Sequence, residues 1–443
     1  MKLAKSLLLG SAAGLVAVTG AQAADLPVRA AAPVDYVRTC PNAPIGGTGF
    51  FVIPGTETCL RISGYVRAEA RFAENDEYEA QAARDFRLDP ETGLVLAPTA
   101  AQGIRANQRD QNDVSLFARG SVAFDARTPT EFGTLRSFIR MSVDNAGTGG
   151  GSTVGFNQAF IQFAGLTAGR ITSFFDFFTT NLVTGTGGSS DATTNVFAYT
   201  ATFGAGFSAT IAVEDAYVRR GDLGGGVGYG GQELPNLVAN LNVTQAWGSA
   251  QLSGALQQIR HDDNTATADD ELGWAVSAGV NVFLPMIAAG DALWIQATYA
   301  DGAIGYVNVP TSGTNFAVPV NDATFIAASN SLETTEAWAI KAAFRHFWTP
   351  TFWQDVEGAY GQVEQDRANP LVGNQLITTA QDYDWWQLGT RLNWSPVSGL
   401  TFSGDVVYTQ IETDRPYVID TAANVVSDEA SRWAGRIRIQ RDF

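Results

Sequence analysis

The side chains of this chain best suited to chemistry are its arginines. Between Leu60 and Phe72, Arg61, Arg67 and Arg71 share one parity with Ser63 and Glu69, while Ile62, Val66, Ala68, Ala70 and Phe72 share the other. The same alternation puts Arg119 and Arg127, then Arg136 and Arg140, then Arg432, Arg436 and Arg438 on one parity of three further segments. A guanidinium stays charged in a confined space and forks onto planar oxyanions, so a fixed charged surface is better built from Arg than from Lys. The carboxylates in the same segments, Glu69, Asp113, Asp125, Asp144 and Asp442, are too few to balance it. Such a surface would bias the passage or binding of small ions.

Other chemistry is poorly provided for. Two His and two Cys in 443 residues leave almost nothing for a metal site, so neither metal nor cofactor is expected. There is no nucleophile elbow and no His-based dyad, which argues against an enzyme. The glycine run from Gly221 to Gly231 lacks a Lys and the strand and helix of a nucleotide loop, and reads as a surface loop. Acidic clusters at Glu74, Asp76, Glu77, Glu79 and Asp85 and at Asp262, Asp263, Asp269, Asp270 and Glu271 lack the spacing of a calcium loop. They read as solvated loops, with divalent cations bridging to lipopolysaccharide a weaker alternative. A net charge of −17 argues against nucleic acid as a partner.

The N-terminus carries a targeting pattern. Lys2 and Lys5 precede an apolar run from Leu7 to Val18 and a small-x-small site at Ala21-Gln22-Ala23, so residues 1–23 read as a signal peptide. Export implies an oxidising compartment. Cys40 and Cys59 are then expected to form one disulfide within a periplasmic N-terminal segment, 24–59; a free reactive pair is the alternative.

The elements that would position the arginines are strands. Apolar and polar residues alternate in segments near 60–72, 113–127, 133–144, 156–164, 167–173, 196–203, 206–214, 236–247, 249–259, 272–283, 292–300, 335–347, 351–363, 384–394, 400–411 and 431–443. That makes sixteen, and the gaps between them alternate long and short, with turn residues such as Pro129, Gly165, Gly204 and Pro350 in the short ones. Only 16% of residues are charged, and no run approaches the ~18 apolar residues of a membrane helix. Short turns on one rim and long loops on the other predict an all-β fold: a 16-stranded antiparallel transmembrane barrel over residues 60–443.

Aromatic placement agrees with that prediction. Trp338, Ile340, Ala342, Phe344, His346 and Trp348 form one row, with Lys341 and Arg345 opposite; ten residue steps at ~3.3 Å, tilted, rise ~25 Å, the height of a barrel's apolar band. Trp386, Leu388, Leu392 and Trp394 repeat the row, opposite Arg391 and Asn393. Closure would make the last strand the neighbour of the first, bringing the arginines of four strands onto one lumenal wall. Arg67, Arg119, Arg140 and Arg436 would stand near mid-height, with Arg136 and Arg438 lower. The third long loop, about 174–195, carries Asp176 and Asp191 among Phe174, Phe175, Phe177 and Phe178. It is expected to narrow the bore, setting carboxylates against the arginine wall; turn capping is the alternative role for the two aspartates. The Phe cluster is expected to pack this loop on the inner wall.

The residues Tyr36-Val37-Arg38 through Cys40, the run from Phe51 to Ile62, the following Gly64-Tyr65-Val66-Arg67 and the stretch from Gly169-Arg170 to Phe178 resemble the general porins of alphaproteobacteria. The resemblance implies a trimeric 16-stranded barrel in the outer membrane with its third loop folded into the pore, and Phe443 fits the family's terminal aromatic. It leads to the expectation of a water-filled channel for small hydrophilic solutes and ions, with outer-membrane lipid and lipopolysaccharide as surroundings. The alternative is a substrate-specific channel, for example for sugars.

Overall fold

The computed structural model describes residues 39–40, 47–73, 87–88, 95–96, 114–145, 152–178, 183, 187–225, 227–262, 268–310, 320–365, 371–372, 375–376, 382–420 and 425–443. The expected signal peptide, residues 24–38, the first acidic loop, Asp113, Asp263, Gly185 and Thr186 lie outside them.

Sixteen strands follow in order: β1 Cys59–Ala73, β2 Val114–Thr130, β3 Gly133–Asn145, β4 Ser152–Phe163, β5 Leu166–Thr172, β6 Thr193–Gly204, β7 Phe207–Glu214 and β8 Asn236–Gln245. The second half comprises β9 Gly248–Ile259, β10 Glu271–Phe283, β11 Ala292–Asp301, β12 Glu336–Thr349, β13 Phe352–Glu364, β14 Tyr383–Val397, β15 Leu400–Asp420 and β16 Val425–Asp442. Each pairs antiparallel with its sequence neighbour, and β16 returns to β1 in a register running from Tyr65↔Asp442 to Ala73↔Ala434. Gly64 and Phe443 exchange both backbone hydrogen bonds at 2.9 Å, which closes the seam at the terminal residue. Closure leaves no open edge, a condition for crossing lipid with strands.

Several strand boundaries differ from the predicted ones. β4 and β6 begin earlier than predicted because polar residues extend their ladders, and β15 runs on to Asp420, pairing with β16 beyond the membrane-height rows. The short turns are tight where expected. Ala164-Gly165 and Ala205-Gly206 all have positive φ, the conformation of a two-residue hairpin turn. A Cβ on Gly206 would also meet the Thr244 carbonyl oxygen.

Burial is inverted relative to a protein in water. On β12 the lumenal residues Ala337, Ala339, Lys341 and Ala343 are buried, while Ile340 on the outer face is 49% exposed. Leu388, Leu392, Ile437 and Ile439 are likewise exposed. Aromatic rings band this apolar belt: Trp274–Tyr299, Trp338–Tyr360 and Trp386–Tyr408–Trp433 pack near the long-loop rim. His346 and Trp348, together with Trp394 against Phe402, band the short-turn rim. An exposed apolar belt between aromatic girdles is the surface of a protein solvated by lipid.

Cys40 and Cys59 form the expected disulfide. It ties the short strand Phe51–Val52 to the start of β1 and sets Phe50 over the guanidiniums of Arg61 and Arg127, at 5.6 and 4.7 Å.

Candidate functional site

The inner surface is built by register. On the seam, Arg438 lies directly opposite Glu69, Arg436 opposite Arg71, and Arg67 opposite Arg119, which in turn lies opposite Asp144. Two of these three rows set like charges face to face, which destabilises a sheet unless a counter-charge intervenes. The counter-charge on β1 is Glu69, whose carboxylate is fully buried. It lies 2.6 Å from Arg71, 2.5 Å from Arg438, 3.4 Å from Arg67 and 3.5 Å from Arg436. Arg119 pairs with Asp144. The arrangement recurs nearer the short-turn rim, where Arg127 and Arg136 face each other across the ladder and share Asp125 at 2.8 and 3.0 Å.

Aromatic rings support the same wall from beneath. Arg71, Arg119 and Arg67 stand 3.9, 5.3 and 5.7 Å from the centre of Phe117, and Arg136 and Arg140 stand 5.3 and 5.4 Å from that of Phe138. Guanidiniums over ring faces are attracted by the ring quadrupole and held in place. Arg140 is exposed and, among the described residues, forms no ion pair.

Beyond the seam the wall becomes a belt of alternating sign. Arg345, Asp355, Arg391, Asp405 and Arg436 lie in one register row across β12 to β16, with Arg345–Asp355 at 2.7 Å, Arg391–Asp405 at 3.0 Å and Arg436–Asp405 at 2.8 Å. The alternation breaks only at the next strand, where Arg71 follows Arg436. Parity alone puts Arg345 and Arg391 inward; the strand-to-strand register that pairs them with Asp355 and Asp405 could not be read from spacing.

The third loop lies inside the barrel, against the opposite wall. The Phe178 amide donates to Gln296 on β11 at 3.0 Å, and the Gly187 amide donates to Gln387 on β14 at 2.5 Å. Phe177 sits where a side chain on Gly279 would be, and Gly188 fits against Ala339, Ala359 and Trp385. The expected packing of the Phe cluster is therefore present, with Phe175 and Phe178 buried. Lys341 on β12, fully buried, donates to Ser189 of the loop at 3.1 Å and pairs with equally buried Glu357 at 3.0 Å.

Two more long loops seal that side. Arg219, between β7 and β8, is buried against Asp176 at 2.7 Å, contacts Ser190, and lies 4.4 Å above the ring of Tyr306 from the loop between β11 and β12. Asn308 of the latter loop accepts from the Gly188 amide through its carbonyl at 3.0 Å. Phe175, Tyr306, Val307, Tyr383 and Trp385 join lumenal alanines such as Ala212, Ala255, Ala300 and Ala337 in one apolar cluster. That part of the barrel interior is filled by packed side chains. Small lumenal residues there leave room for loop side chains.

This placement corrects the expectation for Asp176. Its carboxylate is buried in a clasp with Arg219, Ser190 and the Ala192 amide, so it offers no charge to the bore. Asp191 is exposed; the surrounding loop, and then the Asp176 carboxylate, raise it above the usual carboxylate range. Arg67, Arg119, Arg136, Arg140, Arg436 and Arg438 come together on one wall, and all but Arg140 are paired there with carboxylates. The glycine run 221–231 is also not simply a surface loop. Asp222–Gly224 pairs parallel with Asn321–Ile326, and Leu223 packs with Ile259 and Phe325. Among the described residues there is no group of three or more potential metal ligands.

Residues 25–436 match the family model described as the Porin subfamily. The chain is 30% identical to Porin Omp2b of Brucella neotomae over an alignment covering 99% of each protein. It is 37% identical to the putative outer membrane protein y4fJ of Sinorhizobium fredii (strain NBRC 101917 / NGR234), over 39% of this chain and 43% of that one. Among solved structures, the outer membrane channel DcaP of Acinetobacter baumannii superposes with a TM-score of 0.61 at 14% identity, covering 89% of this chain and 99% of that one. This likeness extends to the fold.

Proposed function

This chain belongs to the porin family and is a bacterial outer-membrane β-barrel, and from that footing we propose that it forms a water-filled channel for passive diffusion of small hydrophilic solutes and ions. The observation that carries the proposal is the third loop folded within the barrel and fixed to β10–β14, which leaves the bore running along the arginine wall of β16, β1, β2 and β3. A bore bounded on one side by fixed loop backbone and on the other by guanidiniums filters by size and by charge. Arg67, Arg119, Arg136, Arg140, Arg436 and Arg438 form the charged side; Asp191 is the loop carboxylate with solvent access, and Asp176 serves to hold the loop. A sugar-selective channel is less well supported, because the lumenal rings Phe117 and Phe138 are occupied by guanidiniums.

The protein is further proposed to assemble as a homotrimer within lipid and lipopolysaccharide. Small outward residues Ala68, Ala70 and Ala118 make a shallow apolar depression beside Leu116, Ile437 and Ile439, suited to close approach of a second copy. The test of the channel reading is a planar bilayer. The Arg67→Gln, Arg119→Gln, Arg140→Gln triple variant is expected to keep its pores, with altered conductance and a permeability ratio moved toward cations. Values identical to the parent protein would sink the charge filter, and absence of stepwise conductance from the parent protein would sink the channel.

A further inference from the structure

We infer that Glu69 is a specificity-positioning residue of this pore, fixing how much of the seam's positive charge reaches permeating ions although no ion can touch it. The inference rests on the channel reading. Glu69 sits at the one place where the alternating belt fails: Arg436 and Arg71 are adjacent in the register with no carboxylate between them, and Arg67 faces Arg119 two positions away. Its side chain is wholly buried and gathers four guanidiniums from β1 and β16. Direct access is blocked by those same guanidiniums on the lumenal side and by Phe117 beside it in the register.

Two physical consequences follow from that position. The carboxylate is shared by four cations but orients two of them directly, Arg71 and Arg438, whose guanidiniums hydrogen-bond to its two oxygens, while Arg67 and Arg436 stand at 3.4 and 3.5 Å and Arg436 also forks onto Asp405. Phe117 takes the face of Arg71 at 3.9 Å, so the Arg71 guanidinium is held between an anion and a ring and is not free to swing into the bore. Removing the anion therefore does two things of the same sign. It uncovers a unit of positive charge, and it releases like-charged side chains to spread toward water and into the ion path.

The experiment compares the parent protein with Glu69→Gln and Glu69→Asp in planar bilayers under a potassium chloride gradient, reading zero-current potential and single-channel conductance. Glu69→Gln is expected to open normally and to raise the chloride-over-potassium permeability ratio about threefold, the effect of one unit charge several ångströms from an ion in water. Glu69→Asp keeps the charge but draws it back by one methylene, and is expected to move the potential the same way by less. A Glu69→Gln channel with the parent's zero-current potential overturns the inference, as does an unshifted Glu69→Asp channel should the glutamine variant not assemble. Either result leaves the channel reading standing, which falls only if the parent protein itself conducts no ions.

Discussion

The two halves of the barrel interior use buried charge in opposite ways. On the side of β10–β14, cations and anions meet one to one out of water: Lys341 with Glu357 and Arg219 with Asp176, with side chains 0–1% exposed. On the side of β16 and β1–β3 a few carboxylates serve many arginines, and Arg71 and Arg119 keep 43% and 26% of their side-chain exposure. Strand parity is the same in both halves. The difference lies in the loops that cover one half and leave the other wet. Lumenal alanines and glycines admit the third loop and its partners where it docks, whereas arginine, phenylalanine and glutamate fill the corresponding positions on the seam. Charge under a loop fastens that loop to the wall, and charge without a loop faces the uncovered part of the barrel interior.

The comparison breaks most visibly at Arg219. Deleting one member of a buried ion pair leaves the other uncompensated, at about 3–5 kcal/mol. Arg219→Ala is expected to lower the temperature of heat modification on gels and to give noisy open channels as the third loop loosens. The compensated Arg219→Met, Asp176→Leu variant is expected to recover most of the stability, since an apolar pair suits the surrounding cluster. A quiet, thermally unchanged Arg219→Ala channel would show that apolar packing alone holds the loop.

The wet half should respond the other way. Arg140 is exposed, without an ion pair among the described residues, and its guanidinium lies over Phe138. Arg140→Gln is expected to change stability by no more than about 0.5 kcal/mol, as for a solvated side chain, while moving the zero-current potential toward cations. Loss of thermal stability comparable to that of Arg219→Ala would erase the distinction between the halves.

Much of this was legible in the sequence because a barrel strand writes its environment at a period of two. Parity set Ile340 outside and Lys341 inside, and alternating gap lengths gave sixteen strands and both rims. The arginine wall followed once closure joined β16 to β1. Three things did not follow. Register is invisible to parity, so the pairing of Arg391 with Asp405 and the convergence of four arginines on Glu69 had no local signal. Loop burial was also hidden: Asp176 in a Gly- and Phe-rich segment reads as a pore carboxylate, with a turn cap as the alternative, and its partner Arg219 is more than forty residues away in a different loop. The inner sheet of Asp222–Gly224 with Asn321–Ile326 joins segments too short for periodicity to mark.

That inner sheet supplies the smallest and most conditional difference between the halves. Asp322 is fully buried there, accepting from Tyr229 Oη and the Gly221 amide at 2.8 Å, Gln257 Nε2 at 3.0 Å and the Ile304 amide at 3.2 Å. Burial nevertheless outweighs these four donors and pushes its carboxyl up to about 6. An unfolded Asp titrates near ~3.9, so between about pH 4 and pH 6 the folded sheet binds the proton more tightly than the open one. The loop sheet should therefore gain stability as pH falls through that window and lose it as pH rises back through about 6. The arms of the sheet carry no transmembrane rows, so the effect should stay local. Hydrogen exchange of the Gly221 and Ile304 amides, corrected for intrinsic rates, is expected to show greater protection at pH 4.5 than at pH 7. Asp322→Asn should flatten the difference, because a neutral amide has no desolvated charge to relieve. Equal protection at both pH values in the parent protein would mean that the ionised carboxylate is fully compensated by its donors. The apolar contacts of Leu223, Ile259 and Phe325 would then hold the sheet irrespective of pH.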